Sequence, residues 1–139
     1  IYGPEGTWRG GKEKVPAAIC RKVAELPEAG GEIEVWGDGE QTRDYIYVQD
    51  VVDALIKSSE IDENLFLNIG TGVETSVNEL VSTLKNTIGY EGKVLYYPKR
   101  DGELLRSVLD NSKAKKVLGW DPKFSLNDGI IELIQWLKA

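Results

Sequence analysis

Apolar side chains along this chain follow two rhythms, one of three to four residues and one of two, and the rhythms alternate. Val15, Ala18, Ile19, Val23 and Leu26 recur at helical spacing, which predicts an amphipathic helix over 15–28. Pro16 suits its first turn, where the missing N–H has no intrahelical partner to lose. "PEAGGE" at 27–32 ends it. "EIEVW" then predicts a short strand, "GDGE" a tight turn, and "QTRDYIYV" a second strand rich in aromatic and β-branched residues. A β-hairpin around the Gly-Asp-Gly turn is expected.

Helical spacing returns at 50–60, placing Val51, Val52, Leu55 and Ile56 on one helical face. "LFLNIG" at 65–70 predicts a short buried parallel strand. Ser76 with Glu79 three residues later forms a capping box, opening a helix that turns Val77, Leu80, Val81, Leu84 and Ile88 inward and closes at Gly89. "KVLYYP" predicts another strand. "DNSKAKKVLGW" predicts a short helix with Asp110 or Ser112 near its cap and Gly119 past its end. A last helix over "SLNDGIIELIQWLKA" points Ile130, Ile131, Ile134 and Leu137 inward. Short strands alternating with about five helices make this an α/β fold.

Composition narrows the function classes. The 139 residues suit one domain, and at this length folding buries roughly two-thirds of the unfolded chain's surface. A net charge of −6 argues against general nucleic-acid or acidic-membrane binding, though not against one small basic pocket. Cys20 is the lone cysteine, so no internal disulfide forms, and its helical position suits a small buried thiol. The absence of His removes the commonest general base and the commonest metal ligand, and no metal site is expected. No apolar run approaches the ~20 residues of a membrane span, and no signal peptide opens the chain, so a cytoplasmic location is expected. With no Met anywhere and an opening "IYGP" that reads as a strand cut near its end, the chain is expected to be part of a longer protein.

Five pieces in order carry a resemblance: "IYGP" at 1–4, "WGDGEQTRDYIYVQDVVDAL" at 36–55, "LNIGTG" at 67–72, Arg106 ahead of "LDNSKAKKVLGW", and the last helix. Together they resemble the C-terminal, substrate-binding portion of the extended short-chain dehydrogenase/reductase family, the Rossmann-type nucleotide-sugar epimerases and dehydratases. "GTWRGGKEKVPAAICRK" at 6–22 resembles the matching segment of the GDP-mannose 3,5-epimerase branch. Glu5, the length of "ELPEAGG", and the loose match of "DGELLRSVLDN" depart from that pattern. So does the absence of the family's glycine-rich dinucleotide loop and of its Tyr-x-x-x-Lys pair. "GTG" at 70–72 lacks the G-x-G-x-x-G spacing, and Tyr90 to Lys93 is one residue too short. The resemblance therefore implies NAD for the parent protein, but no cofactor binding and no turnover by this chain alone. It also implies a nucleotide-sugar substrate and a homodimeric parent.

A sugar nucleotide needs cations for two phosphates and polar groups for base, ribose and sugar. The resemblance assigns Arg43 and Arg106 to the diphosphate, a task suited to the planar guanidinium fork; from spacing alone they are also ordinary surface arginines. It places a phosphate-contacting lysine at Lys22, which otherwise reads as a side chain laid along the helix with its charge in water. Gln41 matches a polar ligand contact, or else caps the turn. Trp36 either lines the base or ribose pocket or packs between hairpin and helix. Lys14, just before Val15-Pro16, is expected at the positive end of a helix, whose field, together with burial under a closing glycine loop, would fit its ammonium for proton transfer. In the 3,5-epimerase branch the matching lysine transfers a proton at a sugar whose C4 is transiently a ketone, with a cysteine of the absent upstream half on the other face. The competing view of Lys14 is one loop charge among Lys12 and Glu13. Gly6, Gly10 and Gly11 allow that loop to close over ligand. Neighbouring activities (a 4-epimerase, a 4,6-dehydratase, a GDP-fucose-type synthase) share every motif but this loop, and a stand-alone nucleotide-binding or interaction module is the alternative of another class.

Overall fold

The computed structural model describes residues 1–5, 16, 18–21 and 31–139. Lys14 and Lys22 lie outside the described residues, as does most of the predicted first helix; residues 16 and 18–21 are helical, with Ile19 and Cys20 buried.

Strand β1 (Glu32–Trp36) alternates as its sequence predicts, burying Ile33 and Val35. Its partner, however, is β4 (Lys93–Tyr97), in parallel, in register from Glu32 opposite Lys93 to Trp36 opposite Tyr97. The expected hairpin does not form. Gly37 and Gly39 take φ of 83° and 78°, and the turn between them serves a helix instead of a strand pair. The carbonyls of Gly39 and Gln41 accept the backbone N–H groups of Asn78 and Val77, which a helix start would otherwise leave without partners. Strand β2 is consequently only Thr42–Arg43, and it pairs antiparallel with β3 (Thr75–Ser76).

Helix α1 spans Val48–Ser58. Its buried side chains are Asp50 and Ala54, and Val51 is half-buried, while Leu55 and Ile56 are 63% and 58% exposed and Val52 is also exposed, so most of the apolar face stands open. The helix turns to satisfy Asp50: its carboxylate accepts the N–H groups of Lys123 (2.8 Å) and Phe124 (3.2 Å), and its carbonyl accepts the Trp120 indole N–H. The predicted strand at 65–70 is corrected. Among the described residues no strand pairs with it, and Phe66 is 95% exposed.

Helix α2 (Val77–Ile88) opens on the reciprocal Ser76–Glu79 box and closes at Gly89 in the left-handed region. It buries Val77, Leu80, Val81 and Leu84 as predicted. Helix α3 is Ser112–Leu118, with Asn111 at its cap and Gly119 past its end. Helix α4 (Leu126–Lys138) opens on a second box, Ser125 with Asp128. It buries Gly129, Ile130, Leu133 and Ile134; Leu137 packs against the core half-buried, and Ile131 is half-buried as well. Gly129 is obligatory, because a Cβ there would stand 2.2 Å from the Tyr2 hydroxyl.

One core joins α2 and α4 to β1, Tyr2 and Tyr47, with Phe124 packed against Tyr47. A smaller one gathers Ile46, Ala54, Ala114, Leu118 and Trp120. Tyr2 enters the first through a parallel bridge to Tyr47. No described helix is long and apolar enough to cross a membrane.

Candidate functional site

Where β1 ends and β2 begins, a cavity of about 380 Å³ opens. Trp36, Gln41, Arg43 and Tyr45 line it from one side, and Arg100 and Glu103 from the turn that follows β4. The Gly-Asp-Gly turn leads the chain away from β1, so that among the described residues β4 is the one strand paired with β1 and the indole at the strand's end borders the cavity. Tyr97 stacks on that indole at 5.1 Å between ring centroids, and the Arg100 guanidinium lies over it at 4.3 Å. Trp36 is thus a half-exposed wall of the cavity, and its core-packing alternative is corrected.

Gln41 is buried, and its amide nitrogen donates to the Trp36 carbonyl at 2.7 Å, bracing the turn while the residue lines the cavity. Gln41 thus caps the turn, as its alternative reading has it, and also borders the cavity. Arg43 donates to the Thr42 carbonyl at 2.6 Å and stands 4.0 Å from the Glu103 carboxylate, a loose ion pair that leaves donor capacity over. Two residues on, hence on the same side of the extended chain, comes Tyr45. Its hydroxyl is buried and has no hydrogen-bond partner among the described residues. Burial pushes that phenol above its ordinary pKa, Glu103 adds to the effect and Arg43 opposes it, so it stays a donor at neutral pH. A buried hydroxyl without a partner costs free energy of ~1–3 kcal/mol, which a ligand accepting its proton would recover.

Arg106 does not line the cavity. It is 77% exposed, and its Nε and Nη2 each donate at 2.7 Å to the Glu74 carboxylate, which also accepts the Thr42 hydroxyl. These bonds hold Glu74 down at about 2, the Arg106 bond first and that from Thr42 second, and Glu74 in turn raises the Arg106 pKa. Cys20 is fully buried, its thiol pushed up to about 12 by burial, as suits a packing residue.

Sequence patterning missed Tyr45, Arg100 and Glu103. Tyr45 was signalled by its period-two relation to Arg43. Arg100 and Glu103 flank a glycine turn, Gly102 at φ 76°, a pattern that places two charges on one rim. The Gly70-Thr71-Gly72 turn does not fit a dinucleotide pyrophosphate, because Asp44 already takes the backbone N–H groups of Thr71 (2.8 Å) and Gly72 (3.0 Å).

Residues 2–133 match the family described as GDP-mannose 4,6 dehydratase. The chain belongs to that family. Within it, GDP-mannose 3,5-epimerase 1 of Oryza sativa subsp. indica is 36% identical over 99% of the chain and 35% of the relative. The UDP-glucose 4-epimerase of Thermotoga maritima, solved with UDP-glucose, is 40% identical with a TM-score of 0.88, covering 97% of this chain and 42% of that one. The UDP-glucose-4-epimerase of Stenotrophomonas maltophila, solved with NAD and a formylated UDP-arabinopyranose, is 31% identical with a TM-score of 0.80, covering 92% and 40%. Against the curated relatives it matches, the chain spans 33 to 43% of their length. The α/β architecture expected from the resemblance is the one these family members share.

Proposed function

We propose that the chain is the nucleotide-sugar-binding portion of an NAD-dependent nucleotide-sugar epimerase, and that the cavity beside Trp36 receives the substrate. The observation that carries this is the Tyr45 hydroxyl, buried and without a partner among the described residues, in a cavity lined by three arginines, Arg21, Arg43 and Arg100. Arg43 and Arg100 neutralise the diphosphate. Tyr45 donates to one of its oxygens. Glu103 accepts from sugar hydroxyls, and it keeps Arg43 aimed inward. Gln41 offers its amide oxygen while its nitrogen stays on Trp36. NAD chemistry belongs to the rest of the parent protein, a homodimer. Exposed Leu55, Ile56 and Phe66 support a chain that works joined to a further domain.

The finer reading is 3,5-epimerisation of GDP-mannose through a 4-keto sugar, with Lys14 moving a proton and Lys22 meeting phosphate. It rests on the likeness of residues 6–22 alone. The match to the Thermotoga maritima enzyme favours a second reading, 4-epimerisation of a UDP-sugar. Calorimetric titration of the chain with GDP-mannose, UDP-glucose and NAD decides among them. Preference for one sugar nucleotide selects the activity. Binding of NAD, or indifference to all three ligands, overturns the proposal.

A further inference from the structure

We propose that Glu74 and Arg106 form a clasp that positions the Arg100–Glu103 rim of the cavity, so that Arg106 serves ligand binding as a positioning residue and not by contact. The inference rests on the reading of the cavity as the nucleotide-sugar site. Between Tyr97, where β4 ends, and Leu109, the chain has no helix or strand. Packing does not hold this segment: Leu104 and Leu105 are 61% and 56% exposed, and Val108 is exposed as well. Yet it carries Arg100 over the Trp36 ring and Glu103 toward Arg43.

Polar ties hold it where apolar ones do not. The Thr42 N–H donates to the Leu105 carbonyl at 2.8 Å, and the next residue, Arg106, grips Glu74 with two bonds of 2.7 Å. Glu74 is itself anchored by the Thr42 hydroxyl and by its place just before β3. The clasp therefore ties the rim segment to the strand pair that presents Arg43. An exposed ion pair adds little to global stability, but a two-bond, planar one fixes orientation. Orientation is what a rim without packing lacks.

The test is a double-mutant cycle on the 139-residue chain with UDP-glucose and GDP-mannose as probes, joined to hydrogen exchange of the Thr42 amide without ligand. Arg106→Gln and Glu74→Gln are each expected to weaken binding about tenfold, and the double variant to be no weaker than the worse single within about threefold. Thr42 exchange is expected to speed up about tenfold in all three. The swapped pair, Glu74→Arg with Arg106→Glu, is expected to recover most of the lost affinity. Loss of affinity in Arg106→Gln alone, with Glu74→Gln unaffected or tighter, would mean direct contact and overturn the clasp. Affinity indifferent to both changes, or unaltered Thr42 exchange, also overturns it. Should the unaltered chain bind neither probe, the reading of the cavity falls, and Thr42 exchange alone then decides the clasp: faster exchange upholds it, unchanged exchange ends it.

Discussion

The extended segment 42–45 has two faces, and they are satisfied to different degrees. On one, Asp44 accepts from the Thr71 N–H and hydroxyl, the Gly72 N–H and the Leu109 N–H, while Thr42 donates to Glu74. On the other, the Tyr45 hydroxyl has no partner among the described residues, and Arg43, beyond one bond to the Thr42 carbonyl, stands 4.0 Å from Glu103. Alternation along a strand sends neighbouring residues to opposite sides, so four consecutive positions divide into scaffold and site. The saturated face holds three segments together. The unsaturated face keeps hydrogen-bonding capacity for something not of this chain.

That contrast predicts opposite signatures for neighbouring substitutions. The largest effect belongs to the saturated face. Asp44→Ala leaves the Thr71, Gly72 and Leu109 donors unpaired and is expected to cost about 3 kcal/mol of stability, read by denaturant unfolding. On the other face, Arg43→Ala and Arg100→Ala are expected to keep stability within about 0.5 kcal/mol while weakening nucleotide-sugar binding by ten- to about a hundredfold. Tyr45→Phe sharpens the contrast further. Removing an unpaired buried hydroxyl should raise stability by up to about 1 kcal/mol, and at the same time weaken binding about fivefold by calorimetry. A fall in stability in that variant would mean the hydroxyl is satisfied in solution.

The smallest effect is one of pH. Glu74 has its folded pKa lowered from 4.5 to about 2, so its ion pair favours the folded state fully above the ordinary carboxylate value and loses that contribution as pH falls toward 2. Stability curves of the unaltered chain and Glu74→Gln should thus separate above about pH 4.5 and converge toward pH 2, by a small amount because the pair is exposed. Curves that stay parallel across that window would show that Glu74 is not engaged.

What the sequence makes legible here is local chemistry. The Ser76–Glu79 box and the glycine stops at 89 and 119 depend on residues three or four apart, and they are where patterning puts them. Partner choice is nonlocal. β1 and the segment after it look like a hairpin, but the turn's carbonyls have a better use as acceptors for the first N–H groups of α2. Asp50 reads as a surface residue of α1 until the Lys123 and Phe124 amides arrive from far along the chain. The site divides the same way. Trp36, Gln41 and Arg43 are legible because one short stretch carries them all, whereas Arg100 and Glu103 reach the cavity only through the parallel pairing of β1 with β4. Arg106, alike in type to Arg43, is set apart by a carboxylate that no spacing reveals.

The central claim is that the cavity beside Trp36 holds the diphosphate of a sugar nucleotide. Its most direct test is calorimetric titration of UDP-glucose and GDP-mannose into the unaltered chain and into the Arg43→Ala, Arg100→Ala double variant, with folding of both checked by circular dichroism. The account predicts saturable binding of at least one of the two to the unaltered chain and its loss from an equally folded double variant. Equal binding by both proteins would contradict it.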